Sequence, residues 1–548
     1  MEIVDDLFLR LEQLNEIGAA LSQEKNLDAL LEKILLASQT ITRADGGTLY
    51  LLEEGRRLKF EIMRNESLGI AMGGTTGNPI SFYPVHLYGK DNQPNTQMVA
   101  AYSALSGKTI NIADAYTADG FDFSGTRNFD KKTGYRSTSF LTVPMRNHEG
   151  EVIGILQLIN CKDERQGNVV PFSNSDQRLA ESLASQAAIA ITNRQLIIQL
   201  EELFESFIEL INSAIDEKSP YTGGHCQRVP ALTMLLADAV NNVQSGPFAN
   251  FSMSEKDRYE LKIAGLLHDC GKVTTPVHVV DKATKLETIF DRINLIDTRF
   301  EVLKRDAEIL ALKQRLALAQ EVGVDEMVRR TRSHAIEQAL RDQIRRLNEE
   351  REFLRVHNAG GEFMSKEAQI RVYEIGTGYR WTDPSGNAAQ FLTEDEISNL
   401  IISRGTLTTA EREIINHHIV ATINMLEALP WPRHLRNVPE YAGGHHERMD
   451  GKGYPRGLTR EQMSIPSRVM GIADIFEALT AKDRPYKRGK TLSESLRILG
   501  KFKENGHIDP DLFDVFVRQK VYLRYAEQFL DPQQIDDVDE TKIPGYLP

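Results

Sequence analysis

The feature that most constrains this chain is a long central stretch without a proline or glycine. It runs from Asp176 to about Asp216. Within it, large apolar residues are spaced by four, three, four and three positions, which is the repeat of a heptad seam. They are Leu196, Leu200, Leu203, Phe207 and Leu210. The stretch predicts one continuous helix that pairs with the same helix of a second copy and carries signals between its flanking domains. A helix that packs only on its own domain is the alternative.

The sequence on either side of this helix predicts separate domains. Before it, helical spacing gives way to the strand-like alternation of Leu58, Phe60 and Ile62 and to a hairpin signal at residues 147–150, so we expect an α+β domain. After it, mostly helical sequence predicts an all-α domain, interrupted by a charged helical hairpin and a small segment with β character. The predicted segments are 1–24 (N-terminal helix), 25–175 (α+β domain), 176–219 (dimerising helix), 220–287 and 405–530 (two parts of the all-α domain), 288–404 (inserted arm) and 531–548 (acidic tail).

Composition excludes several functional classes. The 65 basic and 78 acidic residues give a net charge of −13, which opposes general binding to nucleic-acid polymers. The three cysteines, Cys161, Cys226 and Cys270, form no Cys-x-x-Cys pair and therefore predict neither a disulfide framework nor a cysteine zinc site. Neither a signal-peptide core nor an apolar run of membrane-spanning length is present. We therefore expect a cytoplasmic protein without a membrane span.

Polar clusters in the second domain carry five of the thirteen histidines, together with two aspartates. Imidazole and carboxylate ligands without a thiolate set suit Mn, Fe or Zn in a site that is not a structural zinc site. Burying so many titratable groups would be costly without a metal, and two adjacent metals can activate water and neutralise charge during phosphate-ester hydrolysis. The candidate ligands are His225, His268, Asp269, His417, His445, His446 and Asp474.

This domain contains two distinctive motifs. The first is His268-Asp269, and the second is the run HHERMDGKGYP from His445 to Pro455, followed by ADIFEALT and DRPYK. Both resemble motifs of the HD-GYP phosphodiesterases. That family is a branch of the HD metal-dependent phosphohydrolases and linearises cyclic dinucleotides, chiefly cyclic di-GMP. The resemblance covers about 220–287 and 404–520. It implies two divalent metal ions, Fe or Mn, and hydrolysis of cyclic di-GMP to linear pGpG, with further cleavage to GMP left open.

The resemblance also implies a role for each matching residue. Asp269 and Lys272 would be the catalytic pair, with Asp269 bridging two metals and His225 more peripheral than the other ligands. His418 is interpreted as a neighbour of the ligand His417. Tyr221 stands where some members carry a glutamate for a third metal, which favours a two-metal site. Substrate phosphate would be contacted by Lys272, Lys282, Arg484 and Lys487.

The GYP segment predicts a shaped loop beside the paired histidines. Glycines permit tight turns or positive φ, and proline stiffens the chain that leaves the turn. We interpret the loop as serving substrate fit or partner contact, with a plain structural turn as the alternative, and expect Arg448 and Asp450 to hold it. The loop residues are Arg448, Asp450, Gly451, Gly453, Tyr454 and Pro455.

The first domain contains Asn160, Phe172 and Asp176 at the spacing of a known signature, in which Cys161 and Gln177 replace a lysine and a glutamate. By these residues the domain resembles a GAF domain, especially those of cyclic-nucleotide phosphodiesterases. The replacement removes an ion pair, so two interpretations stand. The domain binds a cyclic nucleotide or another small ligand, or it is a ligand-free dimerisation domain.

Together, these patterns predict a homodimeric signalling enzyme in which a GAF domain regulates a cyclic-dinucleotide phosphodiesterase. Another cyclic dinucleotide, such as cyclic GMP-AMP, is the nearest alternative substrate. The same patterns also allow another HD phosphohydrolase, a non-catalytic dinucleotide receptor or a dimeric scaffold. The inserted arm carries no recognisable chemistry, and its leucine spacing suggests oligomer contact or partner docking.

Overall fold

The computed structural model describes residues 2–218, 224–361, 363–482 and 489–547. The chain divides into two compact units, Met1–Glu205 and Ser206–Pro548. The division falls inside a helix of 45 residues, α5 (Asn174–Lys218), which matches the continuous helix expected from the sequence. The domain boundaries given above stay predictions.

The first unit is an antiparallel sheet with helices on both faces, as the α+β prediction requires. The strand order is β3-β2-β1-β7-β6-β5, with β4 beside β2 and β8 beside β7. Its elements are α1 (Glu2–Gln23), α2 (Leu27–Thr42), β1 (Ala44–Glu53), β2 (Arg57–Asn65), β3 (Ile70–Gly73), β4 (Val85–His86), α3 (Val99–Ser106), β5 (Ile110–Ile112), α4 (Ser124–Thr133), β6 (Phe140–Arg146), β7 (Val152–Lys162), β8 (Val169–Val170) and the first part of α5. Leu35 of α2 and Leu183 of α5 pack with Leu49 and Leu158 in the main core.

The GAF signature residues stabilise this unit from inside. Asn160 is 2% exposed, and its side-chain oxygen accepts a hydrogen bond from the amide of Thr138 at 2.7 Å. Phe172 belongs to the main core. Asp176 accepts a hydrogen bond from Arg10 of α1 at 3.0 Å, in an ion pair whose two side chains are buried. Asp176 therefore forms its ion pair with Arg10 of the N-terminal helix, while Cys161 stands where the signature has a lysine.

The second unit is mostly helical. Its elements are the end of α5, α6 (His225–Asn241), α7 (Glu255–Leu267), α8 (Val277–Val280), α9 (Ile293–Gln320), α10 (Glu326–Asn358), α11 (Lys366–Gly378), β9 (Arg380–Thr382), β10 (Ala388–Gln390), α12 (Glu394–Leu400), α13 (Thr409–Glu427), α14 (Val438–Gly443), α15 (Ile465–Thr480), α16 (Leu492–Glu504), α17 (Pro510–Arg518) and α18 (Val521–Phe529). The helices α7 and α13 begin with capping boxes, Ser254 with Asp257 and Thr408 with Glu411, which satisfy their first amides. In the acidic tail, Ile543 and Tyr546 are buried.

The inserted arm contains the helical hairpin and the small β element that its sequence predicts. The helices α9 and α10 run antiparallel, since Arg351 contacts Glu301 at 3.2 Å and Arg355 contacts Asp297. The strands β9 and β10 pair across the turn at 383–386. Among the described helices, none has the length and apolarity to cross a membrane.

Lys285, at the base of the arm, makes stability depend on pH. It is 3% exposed, and its ammonium donates to the Leu400 carbonyl at 2.9 Å and contacts the Met364 sulfur. Burial lowers its pKa to about 8. The pKa in the unfolded chain is about 10.4, so the unfolded chain binds more protons between these two values and stability rises with pH.

We therefore expect the stability of the wild type relative to Lys285→Met to increase between pH 7.5 and pH 10. The increase is about 3 kcal/mol at most. Urea unfolding of both proteins at the two pH values measures it, with Lys501→Met at an exposed lysine as the control that should keep the wild-type pH dependence. An equal pH dependence in Lys285→Met and in the wild type would contradict this account.

Candidate metal centre

One cluster of the second unit gathers imidazoles and carboxylates from five places in the chain. His225 begins α6, His268 and Asp269 follow α7, and His418 lies in α13. His445 and His446 follow α14, and Asp474 lies in α15. Side chains from 250 residues of sequence are therefore brought together by the helical packing of this unit.

The ligand atoms fall into two groups. His225, His268 and Asp269 form one group, and His418, His445 and His446 form the other, with the ligand atoms of each group within 4.8 Å of one another.

The Asp269 carboxylate joins the two groups. Its Oδ2 lies 3.1 Å from His225 Nε2 and 3.2 Å from His268 Nε2, while its Oδ1 lies 3.3 Å from His418 Nε2. Asp474 Oδ1 approaches His225 Nε2 at 3.4 Å. Asp269 thus has the position of a carboxylate that bridges two cations.

Backbone carbonyls orient three of the imidazoles. Each of these rings donates from Nδ1 to the carbonyl three residues earlier, and in the neutral ring this tautomer leaves the Nε2 lone pair available to a ligated metal. The bonds run from His268 to Gly265 (2.7 Å), from His418 to Ile415 (2.5 Å) and from His445 to Ala442 (2.6 Å).

The donor set fits two divalent cations. Among the described residues, His445 Nε2 and Asp269 Oδ1 are buried without a hydrogen-bond partner, which is costly in a folded protein. Two pairs of Nε2 atoms also face each other at 3.3 Å, His225 with His268 and His418 with His446. Cations would satisfy these atoms, and nitrogen and carboxylate donors suit Mn, Fe or Zn.

Electrostatics keep most of the cluster in the protonation states that bind cations. Burial lowers the pKa of His446 to about 4, and burial with the neighbouring His446 and His268 holds the pKa of His445 well below its usual range. Burial alone would raise the pKa of Asp269, but Lys272 and His268 hold it well below its usual range. His445 and His446 are therefore neutral and the Asp269 carboxylate is ionised at neutral pH, as metal ligation requires.

His225 is central to the cluster, although the sequence suggests a more peripheral position. Its Nδ1 lies 2.6 Å from Oε2 of Glu477, and the other oxygen of that carboxylate, Oε1, accepts a hydrogen bond from Arg228 Nε at 2.7 Å. Burial alone would lower the pKa of His225, but hydrogen bonds to Asp269, Asp474 and Glu477 raise it well above its usual value. Metal binding at His225 therefore requires loss of a proton.

Glu477 is a site residue that the sequence analysis misses. It is 1% exposed and forms the carboxylate–histidine pair that commonly orients a metal ligand. The sequence does contain one indication that Glu477 belongs to the site: it lies three residues after Asp474 in α15, which places both carboxylates on one helix face.

The structure corrects the choice between two adjacent histidines. His417 is exposed, whereas His418 is 4% exposed and faces Asp269 and His446. The physical reason is the buried face of α13, which contains His418 together with Thr422 and Leu426 at helical spacing. The prediction of His417 as the ligand is wrong, and His418 is the histidine of α13 that belongs to the cluster.

The predicted phosphate contact of Lys282 is also wrong. Its ammonium donates to Asn399 at 3.0 Å and to both oxygens of Glu411 at 2.8 Å, and its side chain is fully buried. Lys282 therefore stabilises the start of α13. Lys272 does lie at the centre, with its Nζ 2.6 Å from Asp269 Oδ2. Tyr221, Arg484 and Lys487 lie outside the described residues, and the roles of Arg484 and Lys487 stay predictions.

The GYP loop lies against the second ligand group. The Tyr454 ring stacks on His446 with centroids 4.9 Å apart, and the Tyr454–Pro455 peptide is cis. Gly451 has a φ of 73°, and a side chain at Gly453 would come within 2.4 Å of a backbone nitrogen.

Arg448 and Asp450 hold this loop, as expected. Arg448 donates twice to Asp450, at 3.0 and 2.8 Å, and the amide of Asp450 donates to the Gly506 carbonyl at 3.0 Å. The loop is thereby tied to the segment that follows α16.

These features define a candidate binuclear metal centre in a helical unit. Comparison with family models identifies a GAF domain at residues 26–191 and HD domains at residues 222–352 and 393–512. The chain therefore carries an N-terminal GAF domain followed by HD-domain sequence, and the GAF and HD resemblances are confirmed.

Several curated phosphodiesterases are similar to parts of this chain. A 3′3′-cGAMP-specific phosphodiesterase of Vibrio cholerae is 48% identical over 81 residues, which is 15% of this chain and 19% of that protein. A cyclic di-GMP phosphodiesterase of Pseudomonas aeruginosa is 46% identical over 74 residues, 14% and 17% of the two chains. A cyclic di-GMP phosphodiesterase of Thermotoga maritima is 30% identical over 160 residues, 27% and 43% of the two chains. Each match therefore spans less than half of the relative.

The adjacent histidines provide a matched test of this centre. We expect His418→Ala to lose bound metal and to lower phosphodiesterase turnover at least a hundredfold, because loss of a group that only orients a metal ligand already costs about 10–100-fold and His418 is itself a candidate ligand. His417→Ala should keep wild-type metal content and turnover. Elemental analysis after dialysis in Mn²⁺ and a turnover assay measure both. Metal loss in His417→Ala but not in His418→Ala would contradict the assignment.

Proposed function

We propose that this protein is a metal-dependent phosphodiesterase that hydrolyses cyclic di-GMP to linear pGpG. The observation that carries the proposal is the Asp269 carboxylate, whose two oxygens face separate groups of ligands. Two-metal sites of this kind serve phosphate-ester hydrolysis. The relatives named as cyclic di-GMP phosphodiesterases support the substrate class.

The ligands proposed for the two divalent ions, Fe or Mn, are His225, His268, Asp269, His418, His445, His446 and Asp474. Bound there, the ions supply Lewis-acid stabilisation of an in-line attack by water on the phosphodiester. Asp269 would be a ligand of both ions, and the imidazoles that backbone carbonyls orient would direct their Nε2 atoms at them. Lys272 places an ammonium beside Asp269, where it can neutralise charge that develops on a phosphate oxygen.

Cyclic GMP-AMP is the second candidate substrate. It is favoured by the 48% identity to a 3′3′-cGAMP-specific enzyme, which is similar in size to the 46% identity to a cyclic di-GMP enzyme. Both substrates contain the same phosphodiester linkage chemistry, so the metal centre would serve either one.

Turnover tests the proposed activity. We expect the Mn²⁺- or Fe²⁺-loaded protein to convert cyclic di-GMP into linear pGpG, separated by chromatography, and Asp269→Asn to lower the rate at least about a hundredfold, because the bridging carboxylate is weakened. A parallel reaction with cyclic GMP-AMP measures base preference. Metal-loaded protein that binds either dinucleotide without cleaving it would contradict catalysis and support a receptor.

The helix α5 is proposed to transmit regulation from the GAF domain. Its last residue, Lys218, donates to the backbone carbonyls of Lys272 (3.3 Å) and Val273, in the short helix that follows Asp269. A shift of the end of α5 would therefore act on the segment that carries Lys272. We propose a cyclic nucleotide or another small molecule as the GAF ligand. The cytoplasm is the proposed location, because all three cysteines are free and buried.

The same helix is proposed to form a homodimer. Its heptad residues are exposed, from 51% at Leu196 to 66% at Leu200, with Leu203, Phe207 and Leu210 between these values. A row of large exposed apolar side chains at heptad spacing favours pairing with a second copy.

We expect the double substitution Leu200→Glu and Leu203→Glu to halve the mass in sedimentation velocity, because two charges enter the apolar seam. Gln199→Glu adds a charge at an exposed position beside the seam and should keep the dimer. Equal masses for the double variant and the wild type would refute this interface.

A further inference from the structure

A cavity of about 490 Å³ opens beside the metal centre. His446 and Asp474, both candidate ligands, line it together with Tyr454 of the GYP loop. Its volume lies in the range of small-molecule sites. A group bound there would therefore be adjacent to a phosphate held at the metal centre.

One wall of this cavity is aromatic. Phe502 of α16 is half-buried and lines the cavity, and its ring stacks on the ring of His507, which also lines it. The ring centroids are 4.7 Å apart and the planes differ by 27°. Ala478 and Leu479, one turn of α15 beyond Asp474, add apolar lining. The stacked pair presents a flat, supported face of the kind on which nucleobases stack.

The charge of the cavity is mainly positive. Among its described lining residues, Arg448, Lys452 and Lys490 are cationic, and Asp474 is the sole carboxylate. Asp474 would be neutralised by a bound cation. Part of the charge of Arg448 is balanced by Asp450, which orients its guanidinium. The cavity therefore suits a ligand that combines an aromatic ring with anionic phosphate.

We propose that this cavity is the subsite for a nucleobase of the cyclic dinucleotide, with Phe502 as its stacking face. The phosphate on that nucleoside lies at the metal centre, and the cations of the cavity balance the remaining phosphate charge. Phe502 is then a specificity-determining residue that favours diesters with a nucleobase over diesters without one. The assignment rests on the proposed phosphodiesterase function.

Substrate discrimination tests the subsite in the full-length, Mn²⁺-loaded protein. The measured quantity is the ratio of kcat/KM for cyclic di-GMP to kcat/KM for bis(4-nitrophenyl) phosphate, a diester without nucleobases. We expect Phe502→Leu, which keeps apolar volume but removes the ring, to lower this ratio about tenfold, within the five- to 150-fold range of a lost base stack. Phe502→Tyr keeps an aromatic ring and should therefore keep the wild-type ratio. Phe529→Ala, at a half-buried phenylalanine outside the cavity lining, should leave it unchanged.

The outcomes separate the subsite from the activity. The subsite is supported if the ratio falls in Phe502→Leu but not in Phe502→Tyr or Phe529→Ala. Phe502→Leu must also keep the metal content and melting temperature of the wild type. An unchanged ratio in that variant overturns the subsite while the phosphodiesterase stands. Wild-type protein that cleaves bis(4-nitrophenyl) phosphate but neither cyclic di-GMP nor cyclic GMP-AMP overturns the proposed substrate, and the nucleobase subsite with it.

Discussion

The structure of the second unit depends on an ionised carboxylate buried among imidazoles. Asp269 is 2% exposed, and its two oxygens face different groups of histidines. Burying a charge is costly unless opposite charge compensates it. Lys272 supplies part of that positive charge through a contact of 2.6 Å with Asp269. Asp269 Oδ1 and His445 Nε2 are buried without a hydrogen-bond partner among the described residues, so further positive charge is needed beside these two atoms. Two divalent cations would meet that requirement, and their binding would then be coupled to folding of the centre.

Periodicity and motif spacing are sufficient to predict the elements of this chain but not every ligand. The proline- and glycine-free stretch gives α5, and the charged insertion gives the α9–α10 hairpin, because local sequence determines long helices. The adjacent His417 and His418 could be separated only by the buried face of α13, which repeats at Thr422 and Leu426. That helical phase was available in the sequence and favours His418.

Other site features depend on tertiary contacts that sequence spacing does not contain. Glu477 becomes a site residue because α15 packs against α6 and brings it to His225. Lys282 looks like a phosphate-binding lysine in a motif, but the fold buries it beside Glu411 and Asn399. The Phe502–His507 pair is 48 residues beyond Tyr454, and only the fold brings both to one cavity. Motif residues are thus predictable by type, while their partners are determined by packing.

The central claim is that Asp269 bridges two metal ions, and crystals of Mn²⁺-loaded protein test it most directly. Anomalous difference density should contain two peaks about 3.5–4 Å apart. Asp269 should coordinate one ion through each oxygen, and His418 should belong to the ligands while His417 remains outside. A single peak, or two peaks that Asp269 does not join, would contradict the account.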